Sequence, residues 1–184
     1  MNIRATATRI ILTLFLGCAL LPGAASAAAY LKIDGVDGES KDRDHDKWID
    51  ILSIKEALSV PASTSVDGGR TRASAVLEDI VLSKEIDRTS PTLRDKLARG
   101  EVISTVMIEL TSTYGEARQT YFKYELRNVL ITSVSLSGTA DSESVPVEEL
   151  SLKYEEIKWT YTEYDDAGSK IGDVEAQWNV RTGE

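Results

Sequence analysis

After residue 28 apolar residues recur at every second position, the period of a strand that buries one of its faces. Residues 30–34 form a first short segment, closed by the turn-forming run Asp34-Gly35-Val36-Asp37-Gly38. Residues 48–54 form a second, with Ile49, Ile51 and Ser53 in phase. Across 76–86, Val76, Ile80, Leu82 and Ile86 share one parity with Glu78 and Lys84, while Leu77 and Val81 occupy the other. Both faces there are partly apolar. Residues 102–113 follow with Val106, Ile108 and Leu110 in phase, then 121–137, long enough to predict a bent strand or two in succession. In 150–164, Leu150, Leu152 and Tyr154 take one parity and Ile157, Trp159 and Tyr161 the other, so the phase change at Glu155-Glu156 predicts a β-bulge. Val174, Ala176, Trp178 and Val180 end the chain in clean alternation.

One segment keeps the other period. Ser90 suits an N-cap, Pro91 the first helical position and Gly100 the C-terminal stop, with Leu93 and Leu97 forming a narrow apolar stripe between them. Many short strands and a single helix predict a closed or sandwiched β-barrel carrying one flanking helix. Residues 59–72 are a polar excursion punctuated by Pro61 and Gly68-Gly69. No repeat or linker divides residues 28–184, which read as one domain.

The first 27 residues read as an address. Arg4 and Arg9 precede an apolar run over residues 10–21, Pro22-Gly23 breaks it, and Ala25-Ser26-Ala27 supplies a cleavage site, the order of a secretory signal peptide cut after Ala27. The run is too short to cross a bilayer ~30 Å thick as a permanent helix. Leu16-Gly17-Cys18 raises lipidation at Cys18 as the alternative, but Phe15 three residues before it and the complete Ala-X-Ala site downstream argue for simple cleavage. The expected product is periplasmic or secreted.

The full chain of 184 residues carries 30 acidic and 21 basic side chains, a net charge of −9. Removing residues 1–27 takes away Arg4 and Arg9 and no acid, leaving 157 residues with 30 acids and 19 bases, a balance of −11. Such a surface, with no Lys/Arg stripe, disfavours nucleic acid. The only cysteine, Cys18, lies in the removable segment, so the product holds no disulfide and no thiolate metal site.

Candidate chemistry is sparse. His45, the only histidine, lies in Asp42-Arg43-Asp44-His45-Asp46-Lys47, a run whose alternating aspartates imitate the start of a calcium loop. Lys47 stands where that loop needs glycine and Ser53 where it needs a bidentate glutamate, so the run reads as a solvated charged turn. The tandem acids Glu148-Glu149, Glu155-Glu156 and Asp165-Asp166 point to opposite faces if extended, which argues against a catalytic pair. Gly68-Gly69-Arg70 lacks the ending of a phosphate loop. Tyr121, Phe122 and Tyr124 could stack a sugar but read as core on a strand. No catalytic, cofactor-binding or metal-ligating residue is expected, and no cofactor.

Residues 30–40, Tyr-Leu-Lys-Ile-Asp-Gly-Val-Asp-Gly-Glu-Ser, resemble the opening of the haemolysin-coregulated proteins, the Hcp family that builds the tube of the bacterial type VI secretion system. The likeness continues in order through Trp48-Ile49-Asp50-Ile51-Leu52-Ser53, Leu82-Ser83-Lys84-Glu85-Ile86-Asp87, Thr89-Ser90-Pro91-Thr92-Leu93, residues 129–135, Glu149-Leu150-Ser151-Leu152-Lys153-Tyr154 and Trp178-Asn179-Val180-Arg181. The resemblance implies a tight β-barrel of two packed sheets with one flanking α-helix, and no enzymatic activity. It also implies a homohexameric ring that stacks into a hollow tube, with a spike protein, a sheath and small effectors as partners. The excursion at 59–72 corresponds to the family's stacking loop and is shorter and less glycine-rich. A signal peptide is a larger departure, because family tubes assemble in the cytoplasm. Beside the tube reading therefore stand a secreted Hcp-like carrier or binding module and a secreted enzyme with an acidic pair.

Overall fold

A computed structural model describes residues 28–60, 75–138 and 145–184. The leader with Cys18, the Gly68-Gly69-Arg70 motif and most of the excursion at 59–72 lie outside the described residues. The elements in chain order are β1 (Ala28–Ile33), β2 (Ile49–Ile51), β3 (Ser53–Lys55), β4 (Leu58–Ser59), β5 (Val76–Leu77), β6 (Ile80–Glu85), α1 (Ser90–Arg99), β7 (Ile103–Tyr114), β8 (Ala117–Ser137), β9 (Val147–Lys153), β10 (Glu156–Tyr164) and β11 (Lys170–Asn179).

The long strand β8 belongs to two sheets. Its first half pairs with β7 and β10, giving a first sheet ordered β2-β1-β7-β8-β10-β11. Its second half pairs with β9, giving a second sheet ordered β8-β9-β6-β3. The bend between the halves falls at Asn128, whose φ of 50° is left-handed, and its side-chain amide donates at 2.8 Å to Glu155, in the turn between β9 and β10. Asn tolerates this region better than other residues with a Cβ. The phase change read in the sequence is thus a break between β9 and β10 rather than a bulge: both strands run along β8, and the chain turns from one sheet to the other at Tyr154-Glu155.

The expected tight barrel is corrected in one respect. The ladder does not close, because β2 and β3 end the hydrogen-bonded path without pairing to each other. They are consecutive pieces of one chain segment, separated by Leu52, which is 58% exposed and donates its amide to Ser83 O at 2.8 Å. One bent segment therefore edges both sheets and joins them covalently. Between them lies a core of Leu31, Ile33, Ile49, Leu82, Ile108, Leu126, Leu150 and Leu152, all at 1% exposure or less. Removing a Leu or Ile side chain from water contributes roughly 1.5–3 kcal/mol each, which makes this core the main stabiliser.

Helix α1 packs on β8 and inserts Leu93 into the core. Thr89 rather than Ser90 is the N-cap, one residue earlier than expected, Pro91 stands in the first turn, and Gly100 at φ 60° ends the helix. A short β4–β5 ladder pairs Leu58 with Leu77 and Ser59 with Val76 at the base of the excursion.

Candidate assembly surfaces

Opposed residues in an antiparallel pair share a face, so the register traces rows of side chains across the first sheet. One row runs Ile49, Leu31, Ile108, Tyr124, Trp159, Ala176 and another Ala29, Leu110, Phe122, Tyr161, Val174. Under β1, β7 and β8 these rows form the core. Beyond β8 the second sheet no longer covers them: Trp159 is half-buried, Tyr161 is 43% exposed and Val174 71%. The strands β10 and β11 thus form an apolar ledge continuous with the interior, and among the described residues the outer edge of β11 pairs with no other strand. Glu56, just past β3, accepts hydrogen bonds from Trp159 Nε1 at 2.8 Å and from the Tyr124 hydroxyl at 3.4 Å. Burial, then the Glu56 charge, push the Tyr124 phenol up to about 12. Burial likewise raises Tyr154, whose hydroxyl is enclosed without a hydrogen-bond partner among the described residues.

The opposite face of the same strands is charged. Glu125, Arg127, Glu156, Lys158, Gln177 and Asn179 line a depression of about 510 Å³. Lys158 pairs with Glu175 at 2.9 Å and Arg127 with Glu125 at 2.7 Å. These alternating charges contribute little stability in water but leave a wettable wall on the reverse of the ledge.

His45 departs from the sequence reading. It is 4% exposed, so the expectation of a solvated turn fails for this residue. Its segment, residues 34–48, folds over the outer face of the first sheet. Gly38 allows the fold-back, because a Cβ there would fall on the Trp48 carbonyl. The imidazole stacks on Tyr30 at 4.0 Å between centroids and meets the edge of Trp48. Nδ1 lies 2.9 Å from Asp42 Oδ1 and Nε2 3.0 Å from Glu109 Oε2. Burial pushes the Asp42 carboxyl up, but the His45 hydrogen bond and the Asp44 amide outweigh it and hold Asp42 below its ordinary value. Asp44 and Asp46 stay exposed and apart from this contact. The cluster is a pin that holds a loop to the sheet. No sequence signal marks its partner, since Glu109 lies 64 residues away.

Lys84 is a second residue missed by the sequence reading. It has no exposed surface and lies 2.9 Å from Glu148 and 2.8 Å from Asp87, with Glu148 also 2.7 Å from Arg94 of α1. Ser90 Oγ donates to Glu148 at 2.6 Å. Burial raises both carboxyls, but hydrogen bonds from Ser90 and Lys84 hold Glu148 below its ordinary value, and bonds from Lys84 and Thr89 do the same for Asp87. This network locks the start of α1 to β6 and β9. A signal existed: Lys84 shares the parity of Ile80 and Leu82, and Glu148 that of Leu150 and Leu152, so opposite charges stand on two buried faces.

Of the tandem acids, only Glu148-Glu149 lies on a strand and places its members on opposite faces; Glu155 precedes β10, and Asp165-Asp166 lie in the turn after it. Glu148 is buried while Glu149 is exposed; Glu155 accepts from Asn128 and Glu156 from Asn179; Asp165 accepts the amides of Ala167 and Ser169 in a turn. Tyr124 is core and Phe122 packs against it, whereas Tyr121 lies half-buried on the opposite face.

The two-sheet body with one locked helix thus presents an apolar ledge on one face of β10 and β11 and charged residues on the other. Residues 30–161 match the type VI secretion system effector family Hcp, and the chain belongs to that family. It is 28% identical over 153 residues to protein hcp1 of Pseudomonas aeruginosa, covering 83% of this chain and 94% of that one. A solved type six secretion system protein superposes with a TM-score of 0.80 at 25% identity, over 86% of this chain and 99% of that one. Hcp1 of Salmonella typhimurium superposes at 0.68 with 26% identity, over 86% and 97%. The chain is a structural component of type VI secretion.

Proposed function

We propose that this chain assembles with copies of itself into a hexameric ring, the unit of a secretion tube, and performs no catalysis. Membership of the Hcp family over residues 30–161 is the observation that carries the reading. The ledge on β10 and β11 supports it, since sheet faces with this much exposed apolar surface mark interaction sites. A ring requires a heterologous interface, one surface meeting a different one on the next copy. By the family resemblance, the excursion at 59–72 serves stacking between rings, and a spike, a sheath and small effectors are the further partners.

The leader gives the export route a second reading. Residues 1–27 direct the chain through the general pathway, and cleavage after Ala27 leaves β1 whole, because its pairing with β7 begins at Ala28. A protein exported in this way acts as a secreted carrier outside a contractile apparatus. Both readings meet one experiment. The extracellular protein is collected from the parent organism with and without its contractile sheath gene, and its N-terminus is sequenced. Loss of the extracellular protein without the sheath supports the tube; an unchanged level, with Ala28 as first residue, supports the carrier. Met1 on the extracellular protein contradicts cleavage.

A further inference from the structure

His45 carries an inference that stands apart from the ring reading. Both ring nitrogens face carboxylate oxygens, Nδ1 toward Asp42 and Nε2 toward Glu109. Both oxygens already accept elsewhere: Asp42 Oδ1 takes the amides of Asp44 and His45 at 3.0 and 3.1 Å, and Glu109 Oε2 the Thr120 hydroxyl at 2.8 Å. An ionised carboxylate has no proton to give, and a neutral imidazole donates from one nitrogen only. The neutral ring therefore answers one partner and turns a lone pair on the other, whereas the imidazolium donates to both. Two carboxylates at hydrogen-bond distance mark the place of a doubly protonated ring.

The same contact holds the loop down. Residues 41–47 reach the strands through His45, bonded to Glu109, and through Asp42, 3.5 Å from Arg118 of β8. The loop also bonds to itself, Gly38 and Ser40 donating their amides to the Lys47 and Trp48 carbonyls. Other charges surround the ring. Arg43 and Asp44 pair with each other on the exposed side of the loop, where Asp46 is exposed as well. Asp50 of β2 and Lys123 of β8 stand opposite Tyr30 and Glu109 on the same sheet face, and Lys32 lies over Trp48. The Tyr30 hydroxyl accepts from Arg118 at 2.8 Å, and the Tyr164 hydroxyl of β10 donates to Thr120 O. Burial first, then Asp42, raise the Tyr30 phenol, and burial raises Tyr164; Asp42 itself titrates below its ordinary value. These three therefore keep one charge state across neutral pH. Imidazole is the group whose ordinary range, ~6.5, lies there.

We infer that residues 38–48 form a pH-sensitive latch, closed on the first sheet while His45 carries both ring protons and loosened when the ring gives one up as pH rises. The charged ring bonds two carboxylates and the neutral ring one, so the closed form is favoured on the acid side, down to the protonation of the carboxylates, and weakens on the alkaline side. His45 is the only histidine of the chain, so isotope-labelled histidine gives one ring signal to titrate in the purified protein once any histidine tag is removed. Amide hydrogen exchange over residues 38–48, read by mass spectrometry and corrected for the intrinsic rate at each pH, is followed alongside from roughly pH 5 to roughly pH 8. Protection of the loop is expected to fall by about tenfold or more as the ring loses its proton, while that of β7 and β8 holds. Glu109→Gln supplies an amide that donates to the neutral ring, and is expected to keep the loop protected through the same span. His45→Gln, which cannot change charge there, is expected to show no step. A ring that does not titrate in this span, or one that titrates while loop protection stays constant, overturns the latch. A step as large as the parent's in either variant overturns it too, since the switch would then lie in another group.

Discussion

Lys84 has no contact with water, and its charge is held by Glu148 and Asp87 alone among the ionic groups within reach. Removing one partner from such a network leaves the others buried and unanswered, which costs about 3–5 kcal/mol. Lys84→Met is therefore expected to lower the urea-unfolding free energy by that order; a change near zero would show that the carboxylates find water instead. The pH dependence follows from the same groups. Glu148 and Asp87 titrate below their ordinary values in the folded chain, so the stabilisation is complete above the unfolded carboxylate range near ~4 and is lost as pH falls through the folded values. Lys84→Met should flatten that acid limb, and an unaltered limb would assign it to other acids. His45 makes a separate prediction. His45→Ala removes two contacts to carboxylates and a stacked ring, a loss of about 2–3 kcal/mol, and frees residues 34–48 from the sheet. Trypsin should then cut at Lys41, Arg43 and Lys47 well before the rest of the fold, and equal cleavage rates in variant and parent would remove the pin. His45 was unreadable in advance because an aspartate-rich hexapeptide reads as solvated, and its burial is decided by Glu109 and Tyr30 on distant strands.

The strand period made most elements legible, because half-buried strands must alternate. The helix was legible from Pro91, Gly100 and the Leu93/Leu97 pair. What the period could not show was where one strand serves two sheets. Both corners, Leu52 and Asn128, look ordinary in sequence, and each interrupts an otherwise regular run. The phase change near Glu155 was visible, but its meaning as a turn between sheets depends on Asn128 opposite it, across a hydrogen bond no local pattern encodes. Asn128→Val places a β-branched residue at φ 50° and should cost about 1–2 kcal/mol, whereas Asn128→Gly should stay within about 1 kcal/mol of the parent. Equal losses in the two would assign the cost to the lost bond with Glu155 rather than to the backbone.

At the scale of the molecule, the apolar ledge and the acidic charge pull in opposite directions. Residues 28–184 carry −11, and a ring of six would bring many like charges together. At physiological ionic strength repulsion is screened beyond ~8 Å, so local contacts decide the assembly. Apolar rows crossing from core to ledge could be listed from the parity of Trp159, Tyr161 and Val174, but their exposure could not: it follows from the second sheet turning away at Tyr154-Glu155. The central claim is that these subunits close into a ring. Class-averaged electron micrographs of the purified protein at micromolar concentration test it most directly. Six-fold rings with an open centre are the expected result, and isolated single-subunit particles, or two-fold pairs at every salt concentration, would contradict it.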